Sequence, residues 1–295
     1  VSPEVLLKNA ETAMYYAKAQ ENNSYQFFNQ SMNQYALERL NVESDMRRAI
    51  EKREFVLHFQ PQISIHSGKI VGVEALVRWL HPEKGQIAPG KFIPVAEETG
   101  LIIPMSELII QQAIEQAVMW SEMGLPLLTV AVNISLKHFK QTNFAEFILD
   151  TIHDSKFNAS ALELELTESI LMQDVQGVIN TLNRLRGYGI QVSIDDFGTG
   201  YSSLSYLKNL PITKLKIDQS FVRNITVDTK DAMIVKTVIE IAHNLGLKVI
   251  AEGVEHLEQV KFLGDLKCDE LQGYFFSKPL PAHELRNLIE GMSML

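Results

Sequence analysis

The stretch "LELELTESILMQDVQGVINTLNRLRGYGIQVSIDD", residues 162–196, decides the fold. It opens on one short apolar run, "LELELTES" (162–169), and closes inside another, "QVSIDDF" (191–197). Between them Val175, Val178, Ile179 and Leu182 recur at the i, i+3, i+4, i+7 spacing of a helix. Asp174 is placed to cap that helix. The unit is strand, helix, strand, and its closing strand ends on two adjacent aspartates. Neighbouring side chains on a regular strand point to opposite faces. Asp195 and Asp196 read instead as standing at the strand's end. There Gly198 and Gly200 permit backbone angles that other residues avoid, so both carboxylates can face one way.

Outward from this unit the pattern repeats. Further apolar runs are "FVLHFQPQIS" (55–64), "IVGVEALVRW" (70–79), "LTVAVNIS" (128–135), "KLKID" (214–218), "KVIAEGV" (248–254) and "LQGYFFS" (271–277). Val235, Val238, Ile239 and Ala242 mark another helix, which Gly246 is placed to end. Eight strands alternating with helices over about 240 residues predict an α/β fold, a (β/α)8 TIM-like barrel, whose usual length is ~250 residues. The first two strands are joined only by "IHSGK", too short for the crossover a parallel pair needs. The first strand is therefore expected to be antiparallel. A doubly wound open sheet is the competing fold, weakened because no Gly-x-Gly-x-x-Gly follows any strand.

The N-terminal residues differ in character. Leu6, Leu7, Ala10, Ala13, Met14 and Ala17 recur at helical spacing, Asn22-Asn23-Ser24 reads as a break, and Tyr25–Phe28 reads as one strand. Residues 32–52 read as a second amphipathic helix with Leu37, Leu40, Met46, Ala49 and Ile50 on one side. Val1 in place of Met, and a start inside an apparent helix, suggest an excised fragment.

With 295 residues, 46% of them hydrophobic, the chain can bury a sizeable core in one large domain or two small ones. A net charge of -9 and no Lys/Arg-rich run argue against a nucleic-acid polymer as partner. Cys268 is the only cysteine, which excludes an intrachain disulfide and a cysteine zinc site. It reads as a buried thiol near a strand start. No apolar run reaches membrane-spanning length and no signal peptide opens the chain. The expectation is a cytoplasmic domain, with any membrane anchor of the full-length protein lying upstream.

Polar residues gather at or near the strand ends: Glu74, Asn133, Glu165, Glu168, Asp195, Asp196, Lys216, Asp218, Glu252, Glu255 and Gln272. In a barrel those ends converge on one mouth, where active sites sit. So many carboxylates would repel one another without bound cations, and carboxylates with one Asn suit Mg2+ or Mn2+. Two such ions can activate water and clamp a phosphoryl group. Lys216, the one cation among these residues, can steer the water or stabilise charge on a phosphate. Taken singly, each has an ordinary reading. A lone acid after a strand is a helix cap or a surface group, Asn133 shapes a turn, Gln272 is a satisfied amide, and Lys216 pairs with Asp218. The set in phase on successive strands resists that reading. His58 reads as a packed core residue, His81 before Pro82 as turn chemistry, and His243 as helical.

These motifs resemble the EAL domains, the phosphodiesterases of cyclic di-GMP. "EALVRW" (74–79) carries the signature, supported by "FQP" (59–61), "FIPVAEETGLI" (92–102), "VNIS" (132–135), "ELTES" (165–169), "DDFGTGYSSL" (195–204), "LKID" (215–218), "AEGVE" (251–255) and "LQGYFFSKPL" (271–280). The resemblance implies hydrolysis of cyclic di-GMP to linear pGpG on a centre of two Mg2+ or Mn2+ ions; Ca2+, which prefers longer bonds and higher coordination, is expected to be inhibitory. It implies that Glu74, Asn133, Glu165 and Asp195 hold one ion, and Asp195, Asp196 and Glu252 the other. Lys216 would contact the catalytic water, supported by Asp218. Gln60, Arg78, Glu255 and Gln272 would contact substrate, and Glu168 would anchor the loop after Asp196. Ser64 stands where many relatives carry Asp, and Phe59 where Tyr is frequent; neither is a metal position. A catalytically inactive cyclic di-GMP receptor and a regulatory dimerisation domain are the alternatives. "NAETAMYYAK" and "YQFF" resemble the C-terminal end of a GGDEF cyclase domain. The implied division is therefore a cyclase remnant (1–30), a linker with the first EAL helix (31–54), and the barrel (55–295). A homodimer, and upstream cyclase and sensor domains, would complete the protein.

Overall fold

The alternation of strands and helices closes into a ring. In this computed structural model, which describes residues 2–19, 25–171, 174–198 and 207–293, the strands are β1 (Phe55–Ser64), β2 (Ile70–His81), β3 (Gly85–Ile87), β4 (Thr129–Ile134), β5 (Leu162–Thr167), β6 (Gln191–Phe197), β7 (Lys214–Ile217), β8 (Lys248–Ala251), β9 (Glu270–Leu271) and β10 (Leu280–Pro281). Their order is β10-β1-β9-β8-β7-β6-β5-β4-β2-β3, and β1 also pairs with β2. Eight strands thus form a closed barrel, with β3 and β10 appended.

From β2 through β4 to β9 every pairing in the ring is parallel, whereas β1 runs antiparallel to β9. The expected reversal of the first strand is therefore present. Its cause is the tight link after Ser64. The amide of Ser64 donates to Lys69, that of Gly68 to Ser64, and Gly68 takes a φ of 67°. Such a turn can only fold the chain back beside itself.

The helices are α1 (Pro3–Ala19), α2 (Gln30–Lys52), α3 (Pro89–Thr99), α4 (Ile102–Glu122), α5 (Leu136–Phe139), α6 (Phe144–Ser155), α7 (Glu168–Leu171), α8 (Val175–Arg186), α9 (Gln219–Arg223), α10 (Thr229–Asn244), α11 (Leu257–Asp265) and α12 (Ala282–Ser293). Asp174 caps α8 through the amide of Gly177, and Val178 and Leu182 are buried. Helix α10 buries Val235, Val238, Ile239 and Ala242. It stops where Gly246 adopts a φ of 72°.

The chain separates into two compact units: residues 1–54 with 79–101, and residues 55–78 with 102–295. In the first, α2 starts earlier than its apolar pattern suggests, because Asn29 accepts from the Met32 amide as its cap. Met46 and Ala49 are buried, but Leu37 and Leu40 are exposed. On α1, Ala13 and Ala17 are buried while Leu6, Leu7 and Met14 are exposed. Tyr25–Phe28 does not form the expected strand. The segment has no partner strand among the described residues, and Tyr25 and Phe27 meet edge to face instead. The break expected at Asn22–Ser24 lies outside the described residues. His81 does shape its turn: Nδ1 accepts from the amides of Glu83 and Lys84.

In the second unit, the run expected over 271–277 pairs only at Glu270–Leu271. A Cβ on Gly273 would lie 2.1 Å from the Val254 carbonyl oxygen. The chain turns there, packed backbone to backbone, and cannot extend the strand. His58 is half-buried, not a core residue. It lies on the mouthward end of β1, where burial and then the Arg78 charge lower its pKa. His243 on α10 pairs with Asp269 at 2.9 Å. Cys268 is buried just before β9, its thiol pushed up by burial to about 12.

Candidate active site

Barrel interiors are ordinarily filled by branched aliphatic side chains. Here register places polar residues side by side across the strands. Asn133 lies beside Glu165, Glu165 beside Ser193, and Ser193 beside Lys214. Alternation along β5 and β7 then stacks two layers, Glu163 with Lys214 below and Glu165 with Lys216 nearer the C-terminal strand ends.

The upper layer centres on Lys216, whose side chain is 1% exposed. Its Nζ lies 2.6 Å from Glu165, 2.7 Å from Glu252, 3.1 Å from Asp195 and 3.9 Å from Glu74. No Asp218 contact accompanies these, so the simple Lys216–Asp218 pair is replaced by a four-carboxylate cage. Asp218 caps α9, accepting from the Ser220 amide at 3.0 Å. Burial pulls the Lys216 ammonium down, but Glu165, Glu252, Glu74 and Asp195 outweigh it and hold it well above its ordinary value.

One ammonium cannot neutralise four carboxylates. Burial, then the Glu74 charge, pushes Glu165 well above the ordinary carboxylate range. Burial and the charges of Asp195 and Glu74 raise Glu252 to about 8, against the pull of Lys216. Glu74 goes the other way. Burial raises it, but Lys216 and hydrogen bonds from Gln272 and Asn133 hold it below its usual value. Asn133 donates to one oxygen of Glu74 at 2.7 Å, and Gln272 to the other in a short bond.

Both aspartates of β6 do reach the mouth, though not through the glycines alone. Asp196 itself takes a φ of 54°, and the pairing with β7 slips between Ile194 and Phe197. That irregularity breaks the alternation. Gly198, at a φ of 100°, follows, while Gly200 and the rest of the 199–206 stretch lie outside the described residues. Burial, then the charges of Asp195 and Asp218, raises Asp196 to about 6. Asp195, Asp196 and Glu252 each present a carboxylate oxygen, and these lie within 4.8 Å of one another.

A cavity of ≈390 Å³ opens above the cage. Gln60, Glu74, Asp195, Glu252, Glu255 and Gln272 line it, as expected for the mouth. Leu76, Gly253, Gly273 and Tyr274, all inside the quoted motifs but not singled out, complete the lining with Gln219 and Arg223, which lie outside every motif and stand one helical turn apart on α9. Arg78 does not line it. Its guanidinium is half-buried and donates to the Val77 carbonyl at 2.8 Å, and burial lowers its pKa. Glu168 is buried at the start of α7, with neither carboxylate oxygen hydrogen-bonded among the described residues.

The donor set fits divalent cations. Every candidate ligand is an oxygen, as hard cations require. Glu165 keeps one buried carboxylate oxygen without a hydrogen-bond partner among the described residues, and the surplus negative charge is of the kind a cation relieves.

The chain is similar to known proteins. The sequence model of the EAL domain matches residues 43–279. The bifunctional diguanylate cyclase/cyclic di-GMP phosphodiesterase MucR of Pseudomonas aeruginosa is 43% identical over 95% of this chain and 41% of its own length. The signaling protein YkoW of Bacillus subtilis is 43% identical over 96% of this chain and 35% of its own length. The chain thus spans about two fifths or less of these relatives. A solved structure described as the PaMucR phosphodiesterase in complex with c-di-GMP superposes with a TM-score of 0.80 at 41% identity, covering 83% of this chain and 99% of that one. The chain belongs to the EAL domain family.

Proposed function

We propose that this EAL domain hydrolyses cyclic di-GMP to linear pGpG, using divalent cations held at the barrel mouth. The observation that carries the reading is Lys216 enclosed by Glu74, Glu165, Asp195 and Glu252. Relatives named for cyclic di-GMP hydrolysis support it, MucR among them. In this reading Glu74, Asn133, Glu165 and Asp195 would hold one Mg2+ or Mn2+. Asp195, Asp196 and Glu252 would hold a second, with Asp195 shared. When bound, such ions acidify water and neutralise the phosphodiester.

The remaining work falls to the chain. Lys216 is fixed by its carboxylates and points a permanent positive charge at the mouth, where it orients the attacking water and stabilises charge developing on the phosphate. Glu252, at 2.7 Å, orients that ammonium. Asp218, whose proximity raises the Asp196 pKa, supports Lys216 in orienting the water. Gln60 and Glu255, both at the cavity wall, contact the substrate together with Arg78. Gln272 has its amide on Glu74 and serves both that ligand and the substrate. Glu168 anchors the loop that follows β6. Residues 1–30 are the end of a cyclase domain, and the full-length protein carries that domain, a sensor and a homodimer interface.

Purified chain, cyclic di-GMP and Mg2+ or Mn2+ should yield pGpG, followed by product chromatography. Ca2+ prefers longer bonds and more ligands, so it should occupy the site and support poor turnover. Ligand binding with no pGpG at any Mg2+ or Mn2+ concentration would turn the reading to a non-hydrolysing receptor.

A further inference from the structure

We infer that Gln62 is a positioning residue for Glu74, acting through the amide of Gln272, and that Gly72 exists to admit it. The inference rests on reading Glu74 as a cation ligand.

Gln62 is fully buried in the barrel at 0% exposure, on the same face of β1 as Gln60. Its Nε2 donates to Oε1 of Gln272 at 3.1 Å. The Nε2 of Gln272 donates in turn to Glu74, and at 3.2 Å to Oε1 of Gln60. Gln60 closes the chain by donating to the Ser277 carbonyl at 3.1 Å.

The direction of every amide follows from its ends. An ionised carboxylate only accepts, and so does a backbone carbonyl. Gln272 must therefore turn its NH2 toward Glu74, which leaves its carbonyl facing the barrel interior. A buried carbonyl there is costly unless a donor meets it. Gln62 is that donor. Without it, the Gln272 amide loses the hydrogen bond that favours this orientation over the flipped one, and the flipped one would set a carbonyl against the Glu74 carboxylate. Outer partners of this kind commonly fix a ligand's orientation.

Gly72 supplies the space. A Cβ there would lie 2.8 Å from Oε1 of Gln62 and 3.1 Å from the Thr129 carbonyl oxygen. That Oε1 is buried and accepts no hydrogen bond among the described residues, so Gln62 is held for what its NH2 does. The sequence offers no sign of this role, since Gln62 follows "FQP" as an unremarkable strand residue.

The test is an equilibrium Mn2+ titration, read by calorimetry without substrate, on wild type, Glu74→Ala, Gln62→Met and Gly72→Ala. Thermal unfolding in parallel checks that each is folded. Gln62→Met keeps the volume and removes the donor. It should weaken Mn2+ binding by roughly tenfold, the low end of the effect of losing a partner that orients a metal ligand. At saturating Mn2+ its KM for cyclic di-GMP should stay near wild type, which separates positioning of the ligand from contact with substrate. Gly72→Ala should shift Mn2+ affinity the same way with Gln62 itself intact, and it carries the test if the Met variant does not fold. If Glu74→Ala weakens Mn2+ binding while folded Gln62→Met or Gly72→Ala binds as wild type does, the relay is wrong and the cation reading stands. If Glu74→Ala itself binds Mn2+ as tightly as wild type, the reading of Glu74 as a ligand fails, and the relay fails with it.

Discussion

Two layers of the same barrel answer one problem differently. Lys214 and Lys216 stand two residues apart on β7, both buried, and both pair with glutamates of β5 two residues apart. In the lower layer Lys214 lies 2.8 Å from Glu163 and 2.8 Å from Glu270, and Lys248 reaches Glu270 at 3.2 Å. Buried Lys214 and the mostly exposed Lys248 at the edge meet two carboxylates, so the charges balance. In the upper layer one ammonium meets four carboxylates. Buried ion pairs need close compensation to be tolerated. The lower layer has it and is a structural floor. The upper layer lacks it, and its surplus charge is what the proposed cations would neutralise.

The contrast is broken most sharply by removing each lysine. At saturating Mn2+, whose ions can neutralise the carboxylates it strands, Lys216→Ala should lower turnover by about 10²–10³-fold, the usual scale for removing one preorganised charge-stabilising group. A pGpG assay at saturating Mn2+ measures it. Lys214→Met should act on stability instead, because it strands Glu163 and Glu270 in the barrel. Denaturant unfolding should show a loss of about 3–5 kcal/mol, with the folded fraction still turning over substrate. Equal effects of the two substitutions on turnover and on stability would erase the distinction between the layers.

A smaller effect lies outside both layers. His138 on α5 packs against Phe144 at 4.9 Å between ring centres. Burial pulls its pKa from 6.5 to about 4. The unfolded chain therefore takes up a proton near 6.5 that the folded chain refuses until about 4. Stability contributed by neutral His138 is present above that range and is lost as pH falls through it, by at most about 1.4 kcal/mol per unit. The difference in thermal stability between wild type and His138→Phe should shift in favour of the variant between pH 7 and 5.

Much of this was legible in sequence. β1 and β6 begin and end where their apolar runs do, because turn residues bound them on both sides. The antiparallel first strand followed from a link too short to cross over. The acidic mouth followed from residue type and strand phase. What stayed hidden depends on contacts across the barrel. Sequence sets Lys216 among mouth carboxylates but cannot say which ones touch it, whereas the fold brings Glu74, Glu165 and Glu252 to it from other strands. Two glycines drew the eye after Asp195-Asp196, yet Asp196 itself adopts the left-handed backbone. The last strand stops early because Gly273 rests on the Val254 backbone, an approach no local pattern announces. Tyr25–Phe28 has the composition of a strand but finds no partner strand among the described residues, and a strand is defined by its partner.

The most direct measurement is anomalous diffraction from crystals grown with Mn2+. Two peaks are expected at the mouth, about 3.5–4 Å apart as in two-metal sites, both within bonding reach of Asp195, and no peak beside Lys214. A mouth without Mn2+, or an ion in the lower layer instead, would contradict the division between a cation-gathering site and its neutral floor.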